Sequence, residues 1–328
     1  MRREGYRWAY AARLNGFRAD ARLAGLNRVT AADLIGVAAA VPGIAAVDVN
    51  YPDHLLGWSA GELRGRLSDL GLGLNGFAVR YYSEPGFRLG ALGHPEEGVR
   101  RRAIDLTRRG VDALREAGGR LMTLWLGQDG WDLPFQADHG RLWERVRDAL
   151  REVCAHDPSV DVCVEYKPDE PRAQALLPDA ATTLLMLDEV GAGNTGVALD
   201  FCHQLYARES PARAAMLVGR RSRLLGVHLN DGYGRRDDGL VAGSVHVPET
   251  LELLLALVGM GYGNAIYFDT FPDSTGLDPS AECAANVSAV EGMMRAVDRL
   301  RADPGLAAAR VAHDGVGATG AVQRALWG

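Results

Sequence analysis

VDVCVEY at 160–166, TGVALDF at 195–201, LLGVHLN at 224–230 and AIYFDTF at 265–271 decide the fold. Each is a short apolar, β-branched run, the composition of a strand buried on both faces. Each also carries one ionisable residue at or just past its carboxyl end: Glu165, Asp200, His228 and Asp269, at intervals of 35, 28 and 41 residues. Those intervals are each about one βα unit long. Working back towards the amino terminus, four similar runs precede them: YRWAYAARL (6–14), AAVDVNY (45–51), GFAVRYY (76–82) and LMTLWLG (121–127).

Helix-like stretches separate the strands, at 30–41, 95–118, 140–153, 249–261 and 280–302. Thr30 and Ser59 each have an acid three positions on, Asp33 and Glu62, as a capping box requires. Gly118-Gly119 follows the long third helix, where a left-handed residue would end it. Eight strands alternating with helices predict an α/β protein, a single (β/α)8 TIM barrel over residues 1–302. A doubly wound open sheet is the rival, but no glycine fingerprint follows the first strand. Residues 303–328, punctuated by Pro and Gly, read as a short C-terminal extension that packs as an arm on the barrel or on a neighbouring subunit.

The 328 residues are 47% hydrophobic and 24% charged, with a net charge of −6. That composition supports a buried core and disfavours disorder. An isoelectric point near 5.8 argues against a mainly electrostatic nucleic-acid binder. No apolar run approaches the roughly 20 residues of a membrane span. The opening MRREGYRWAYAAR lacks an apolar signal core. Cys154, Cys163, Cys202 and Cys283 form no CxxC pair and read as free thiols of a reducing cytosol, so a cytoplasmic location is expected.

Barrel enzymes place reactive groups at the carboxyl ends of strands. Glu165, Asp200, His228 and Asp269 therefore share one rim, and three carboxylates with one imidazole suit Mn²⁺, Mg²⁺ or Co²⁺, with Zn²⁺ an alternative. Lys167 lies two residues after Glu165, so strand alternation points both to the same face. His203, three after Asp200, is a second ligand, a proton carrier or a packed histidine. Asp237 and Asp238 sit in the loop after the seventh strand and are candidates for a second metal position, although RRDD is also the composition of a solvated turn. His54, His94 and Trp131 fall in loops at the same rim and are candidate substrate contacts.

At these residues the sequence resembles the xylose isomerase-like TIM-barrel superfamily. VEYKPDEPR (164–172) is similar to the Glu-x-Lys-Pro-x-Glu-Pro signature of xylose isomerase, and LDFCHQ (199–204), GVHLND (226–231) and YFDTFP (267–272) resemble the later ligand strands. FRLGALGHPEEGVRRRAID (87–105) with LWLGQDG (124–130) looks closer to the bacterial L-rhamnose isomerase-type sugar isomerases. The likeness covers roughly residues 6–300. It implies that Glu165, Asp200, His228 and Asp269 hold a metal. It also implies that Asp200 bridges to a second ion held by His203 and an acid of the 237–238 loop. Lys167 would contact the substrate oxygen that gains charge. In the family the second-site acids are separated by one residue; here they are adjacent, and adjacent side chains in extended chain diverge.

The implied activity is interconversion of an unphosphorylated aldose and ketose by hydride shift or by enediol proton transfer, with Mn²⁺ the first candidate cofactor. Lys167, His203 and Glu165 are its candidate catalytic residues. A ketose 3-epimerase or a metal-dependent sugar lyase or dehydratase would use the same ligands. Ketose 3-epimerases place glutamates on both the fifth and eighth strands, whereas this chain has Glu165 and the shorter Asp269. A non-catalytic sugar-binding barrel is a further alternative. The histidine-rich cluster of an abasic-site nuclease is not matched by eight histidines with few at strand ends. Family analogy implies a homodimer or homotetramer, with a sugar as the small-molecule partner and neither nucleic acid nor membrane.

Overall fold

A computed structural model describes residues 8–328. The first expected strand begins at Tyr6, so its opening residues lie outside the described residues. Eight parallel strands close into a barrel. They are β1 (Tyr10–Arg13), β2 (Ile44–Tyr51), β3 (Gly73–Val79), β4 (Leu121–Trp125), β5 (Asp161–Glu165), β6 (Thr195–Asp200), β7 (Leu224–Leu229) and β8 (Ile266–Phe268). Closure, with β8 pairing β1 through Tyr10 and Ile266, rules out the open doubly wound sheet.

Around the barrel lie α1 (Ala31–Ala39), α2 (Ala60–Asp69), α3 (Glu97–Glu116), α4 (His139–His156), α5 (Ala180–Val190), α6 (Phe201–Tyr206) and α7 (Pro211–Arg221). They continue as α8 (Val247–Met260), α9 (Pro272–Thr275) and α10 (Pro279–Ala302). Both expected capping boxes are formed, by Thr30 with Asp33 and Ser59 with Glu62. Gly118 takes φ +85° just past α3, the conformation that stops it. β3 starts and ends three residues earlier than its sequence pattern suggested. Tyr81 turns out of the strand into a 3₁₀ turn because its buried hydroxyl reaches Thr107 Oγ1 at 2.6 Å.

The main core lies between barrel and helices, where β6 is buried at every position. Inside the barrel, small residues alternate with functional ones. Ala11, Ala46, Cys163, Ala198 and Gly226 sit two positions before Arg13, Asp48, Glu165, Asp200 and His228. The two-residue strand period therefore stacks a polar layer above a floor that includes Ala11, Ala46, Cys163 and Ala198. Beyond the barrel, α11 (Pro304–Ala312) and α12 (Gly315–Trp327) fold back, and α12 packs on α10. Ala321 and Ala325 are buried there, and Arg299 Nε donates to the Ala325 carbonyl at 2.8 Å. No described helix is long and apolar enough to cross a membrane.

Candidate active site

The four strand-end residues converge. Glu165, Asp200, His228 and Asp269 each present a donor atom, all within 4.8 Å of one another. Asp200, His203 and Asp237 form a second group by the same measure, so Asp200 belongs to both. His228 Nδ1 lies 3.2 Å from Glu165 Oε1, and His203 Nε2 lies 3.0 Å from Asp237 Oδ2. His203 is held by the first turn of α6: its backbone N–H donates to Asp200 Oδ1 at 3.0 Å, and its Nδ1 lies 3.0 Å from the Tyr166 carbonyl. Asn230, fully buried, donates to both oxygens of Asp200 and to the Asp269 carbonyl, fixing three strand ends together.

Only one of the adjacent loop acids enters this cluster. Asp237 points inward, while Asp238 turns away to accept from Tyr233 N at 2.8 Å and Arg236 Nε at 2.9 Å. The loop that carries them is closed by Asp231, whose carboxylate accepts from the backbone of Gly232, Val245 and His246. Its backbone bridges to Leu240 in both directions.

The electrostatics are those of a site that draws cations. Burial, with Asp237, Asp269 and Glu165 close by, pushes the Asp200 carboxyl up to about 7 despite His203. Burial would lower both imidazoles. The facing carboxylates outweigh it and raise His203 to about 9 and His228 to about 10. Asp237 Oδ1 is buried and accepts no hydrogen bond from a described residue, and the buried His228 Nδ1, although 3.2 Å from Glu165 Oε1, makes no hydrogen bond of proper geometry. Buried polar atoms left unsatisfied in this way call for a ligand. Hard carboxylate oxygens with one or two imidazoles fit a divalent cation of the Mn²⁺ or Mg²⁺ type.

Above the ligands opens a cavity of about 380 Å³. Lys167 reaches into it, with its Nζ held 3.0 Å from Asp237 Oδ2 and 3.1 Å from Glu170 Oε2. Trp125 and Tyr82 meet edge to face at 5.2 Å and form one wall, and Lys167 Nζ stands 5.4 Å from the Trp125 ring. Arg13, which pairs with Asp269, together with Asn50, Arg80 and Phe271, also lines it.

His54, His94 and Trp131 do not line this cavity. His54 is absorbed into the barrel wall, between the Asn50 N–H at 3.1 Å and Asn15 Oδ1 at 2.9 Å. His94 accepts from Glu96 N in its own turn, and Trp131 stacks on His139 in an outer two-residue strand pair. The residues that occupy their expected place are Arg13, Asn50, Arg80 and Trp125. Each stands within one residue of the end of β1 to β4, as Glu165, Asp200, His228 and Asp269 do on β5 to β8.

A closed parallel barrel that gathers carboxylates and imidazoles at its carboxyl rim defines a class, the metal-competent (β/α)8 barrels. This chain belongs to the xylose isomerase-like TIM barrel family, whose sequence pattern it matches over residues 37–297. It is 29% identical over 196 residues to a probable sugar isomerase of Mesorhizobium japonicum, covering 56% of this chain and 44% of that protein. It is 24% identical over 209 residues to xylose isomerase of Thermus thermophilus, covering 62% and 54%. The chain thus spans about half the length of the curated relatives it matches. Among solved structures, an L-ribulose 3-epimerase superposes with a TM-score of 0.66 at 17% identity, covering 90% of this chain and 96% of that one. That likeness is one of fold.

Proposed function

We propose that this protein is a divalent-metal-dependent isomerase that interconverts an unphosphorylated aldose and ketose. The observation that carries the reading is the second ligand group, Asp200, His203 and Asp237, set beside Lys167. A cation bound at these ligands would polarise the vicinal oxygens of an opened sugar and stabilise developing alkoxide charge. Glu165, Asp200, His228 and Asp269 would hold the first position and His203, Asp200 and Asp237 the second, with Mn²⁺ the preferred ion.

Lys167 is the residue placed to donate to the substrate oxygen that gains charge. Burial would lower its ammonium, but Asp237 and Glu170 outweigh burial and keep it protonated. Trp125 and Tyr82 offer the apolar wall against which a sugar's C–H face packs and from which water is excluded. Of the two carboxylates at the ends of β5 and β8, Glu165 is the longer by one methylene and pairs through Oε1 with His228 Nδ1 at 3.2 Å, while the shorter Asp269 pairs through Oδ1 with the cationic Arg13 Nε at 3.3 Å. Epimerisation at C3 requires a carboxylate at each face of the sugar, so this asymmetry favours C1–C2 isomerisation.

Residues 1–302 are then the catalytic barrel and 303–328 an arm. The four unbridged, buried cysteines suit a reducing cytoplasm, and the family relationship suits a homodimer or homotetramer. The test is a screen of aldoses and ketoses with Mn²⁺-loaded protein, read by formation of the C1–C2 isomer. Exchange of deuterium at C3 alone would assign epimerisation instead. Loss of water or of a leaving group would assign a lyase. No turnover of any substrate would end the enzymatic reading.

A further inference from the structure

Four side chains run along one wall of the cavity in an alternating series. The Arg80 guanidinium lies 3.9 Å over the Tyr82 ring, Tyr82 meets Trp125, and Trp125 faces the Lys167 ammonium. The two ends carry equal charge and unequal company. Lys167 is neutralised by Asp237 and Glu170. Arg13, also on the cavity, is committed to Asp269, Asp273 and the Thr270 carbonyl. The Arg80 guanidinium makes no hydrogen bond or ion pair with any described residue, and its Nε is buried without a partner. Burial and the neighbouring Arg13 push it down to about 10, and the more distant Asp53, Tyr267 and Asp269 only partly offset them.

An uncommitted, half-buried guanidinium in a substrate cavity is costly unless an anion completes it. We infer that the substrate is a sugar acid, whose terminal carboxylate docks on Arg80 while its carbonyl end lies at Lys167 and the ligand cluster. The inference rests on the reading of this cavity as a sugar site. A carboxylate is favoured over a phosphate on charge and shape. One guanidinium balances its single charge and its two oxygens, whereas a phosphate, which a fork can also grip, carries a charge of about −1.5 to −2 and a third acceptor oxygen that Arg80 alone leaves unmet. Arg80 is the one cation of this wall left free to meet it.

The test is calorimetric titration of the full-length, Mn²⁺-loaded protein with hexuronates, with hexoses of matching configuration and with hexose 6-phosphates. For at least one configuration the hexuronate binds about tenfold or more tighter than the hexose, as expected for a charge-assisted bidentate bond. In Arg80→Gln that ratio collapses towards one, and in Arg80→Lys, which keeps charge without the fork, it falls part way. Should Arg80→Gln fail to fold, the partial fall in Arg80→Lys carries the test. Equal binding of hexuronate and hexose by the unaltered protein would overturn the inference. So would a hexuronate preference that survives both substitutions, or a stronger preference for the 6-phosphate. Binding is read without turnover, so a protein that binds hexuronates through Arg80 yet isomerises none would refute the reaction and leave this recognition standing.

Discussion

The carboxylate of Asp200 caps the helix that carries His203, with Oδ1 accepting the His203 N–H at 3.0 Å as the chain leaves β6 for α6. One residue therefore belongs to both ligand groups and also fixes the backbone of a third ligand. Asp200→Asn keeps an oxygen for the cap and loses the charge; Asp200→Ala loses both. Both variants are expected to bind Mn²⁺ at least about tenfold more weakly. Urea denaturation should place Asp200→Ala about 1 kcal/mol below Asp200→Asn, the usual worth of an N-cap.

Removal of the ion should act on stability as well as on turnover. A cation that binds only the folded state at a hundred times its Kd adds about 2.7 kcal/mol. Dialysis against chelator is therefore expected to lower Tm and abolish isomerisation, with Mn²⁺ or Co²⁺ restoring both. A Tm indifferent to chelator and to added metal would contradict the assignment of these ligands.

Asn230 links β6, β7 and β8 through its bonds to Asp200, to the Asp269 carbonyl and from the Cys202 N–H. Truncation to Ala leaves those buried groups unpaired. It should cost about 1–3 kcal/mol in urea unfolding and weaken metal binding, because Asp200 loses its orienting donor. A variant as stable as the parent would show that water replaces the amide without loss.

Gly239 sits at φ +59° with its Cα against the Phe271 ring, where an added Cβ would lie 2.3 Å from a ring carbon. Gly239→Ala both strains the backbone and displaces Phe271, a cavity residue beneath Arg13. The expected result is a loss of about 1–3 kcal/mol in stability together with a raised KM for sugar. An unchanged KM would show that Phe271 moves without touching the substrate.

Acid stability should report on Asp20. Its hydrogen bond with Arg22, against an opposing effect of burial, holds this carboxyl well below the usual carboxylate range, and Ser280 at the start of α10 bonds it too. A carboxyl depressed in the folded state contributes fully above its unfolded value, near 3.9, and the contribution fades as pH falls through the folded value. Asp20→Asn should therefore be less stable than the parent at pH 7 and pH 5, with the gap narrowing at pH 3. A gap of constant size at all three would refute this.

The convergence of Glu165, Asp200, His228 and Asp269 is legible in the sequence because each ends a buried apolar strand, and strands of a closed parallel barrel end on one rim. Arg13, Asn50, Arg80 and Trp125 obey the same rule on β1 to β4 and line the cavity, whereas His54, His94 and Trp131 of the following loops do not. Those loop residues were misplaced for local reasons. The 3₁₀ turn at Asp53–Leu55 rotates His54 into the wall, and His94 caps its own turn. The choice between Asp237 and Asp238 was equally hidden, since it depends on a turn in which Asp238 satisfies the Tyr233 and Arg236 donors.

The Asp231 latch has an evolutionary corollary. Because that carboxylate and the bridge to Leu240 tie off residues 232–239 at their base, the segment resembles an Ω-loop and can be exchanged without disturbing strand register. On the proposed reading, the acid that Asp237 supplies to the second group could be re-engineered by swapping eight residues, while Glu165, Asp200, His228 and Asp269 stay anchored in the barrel.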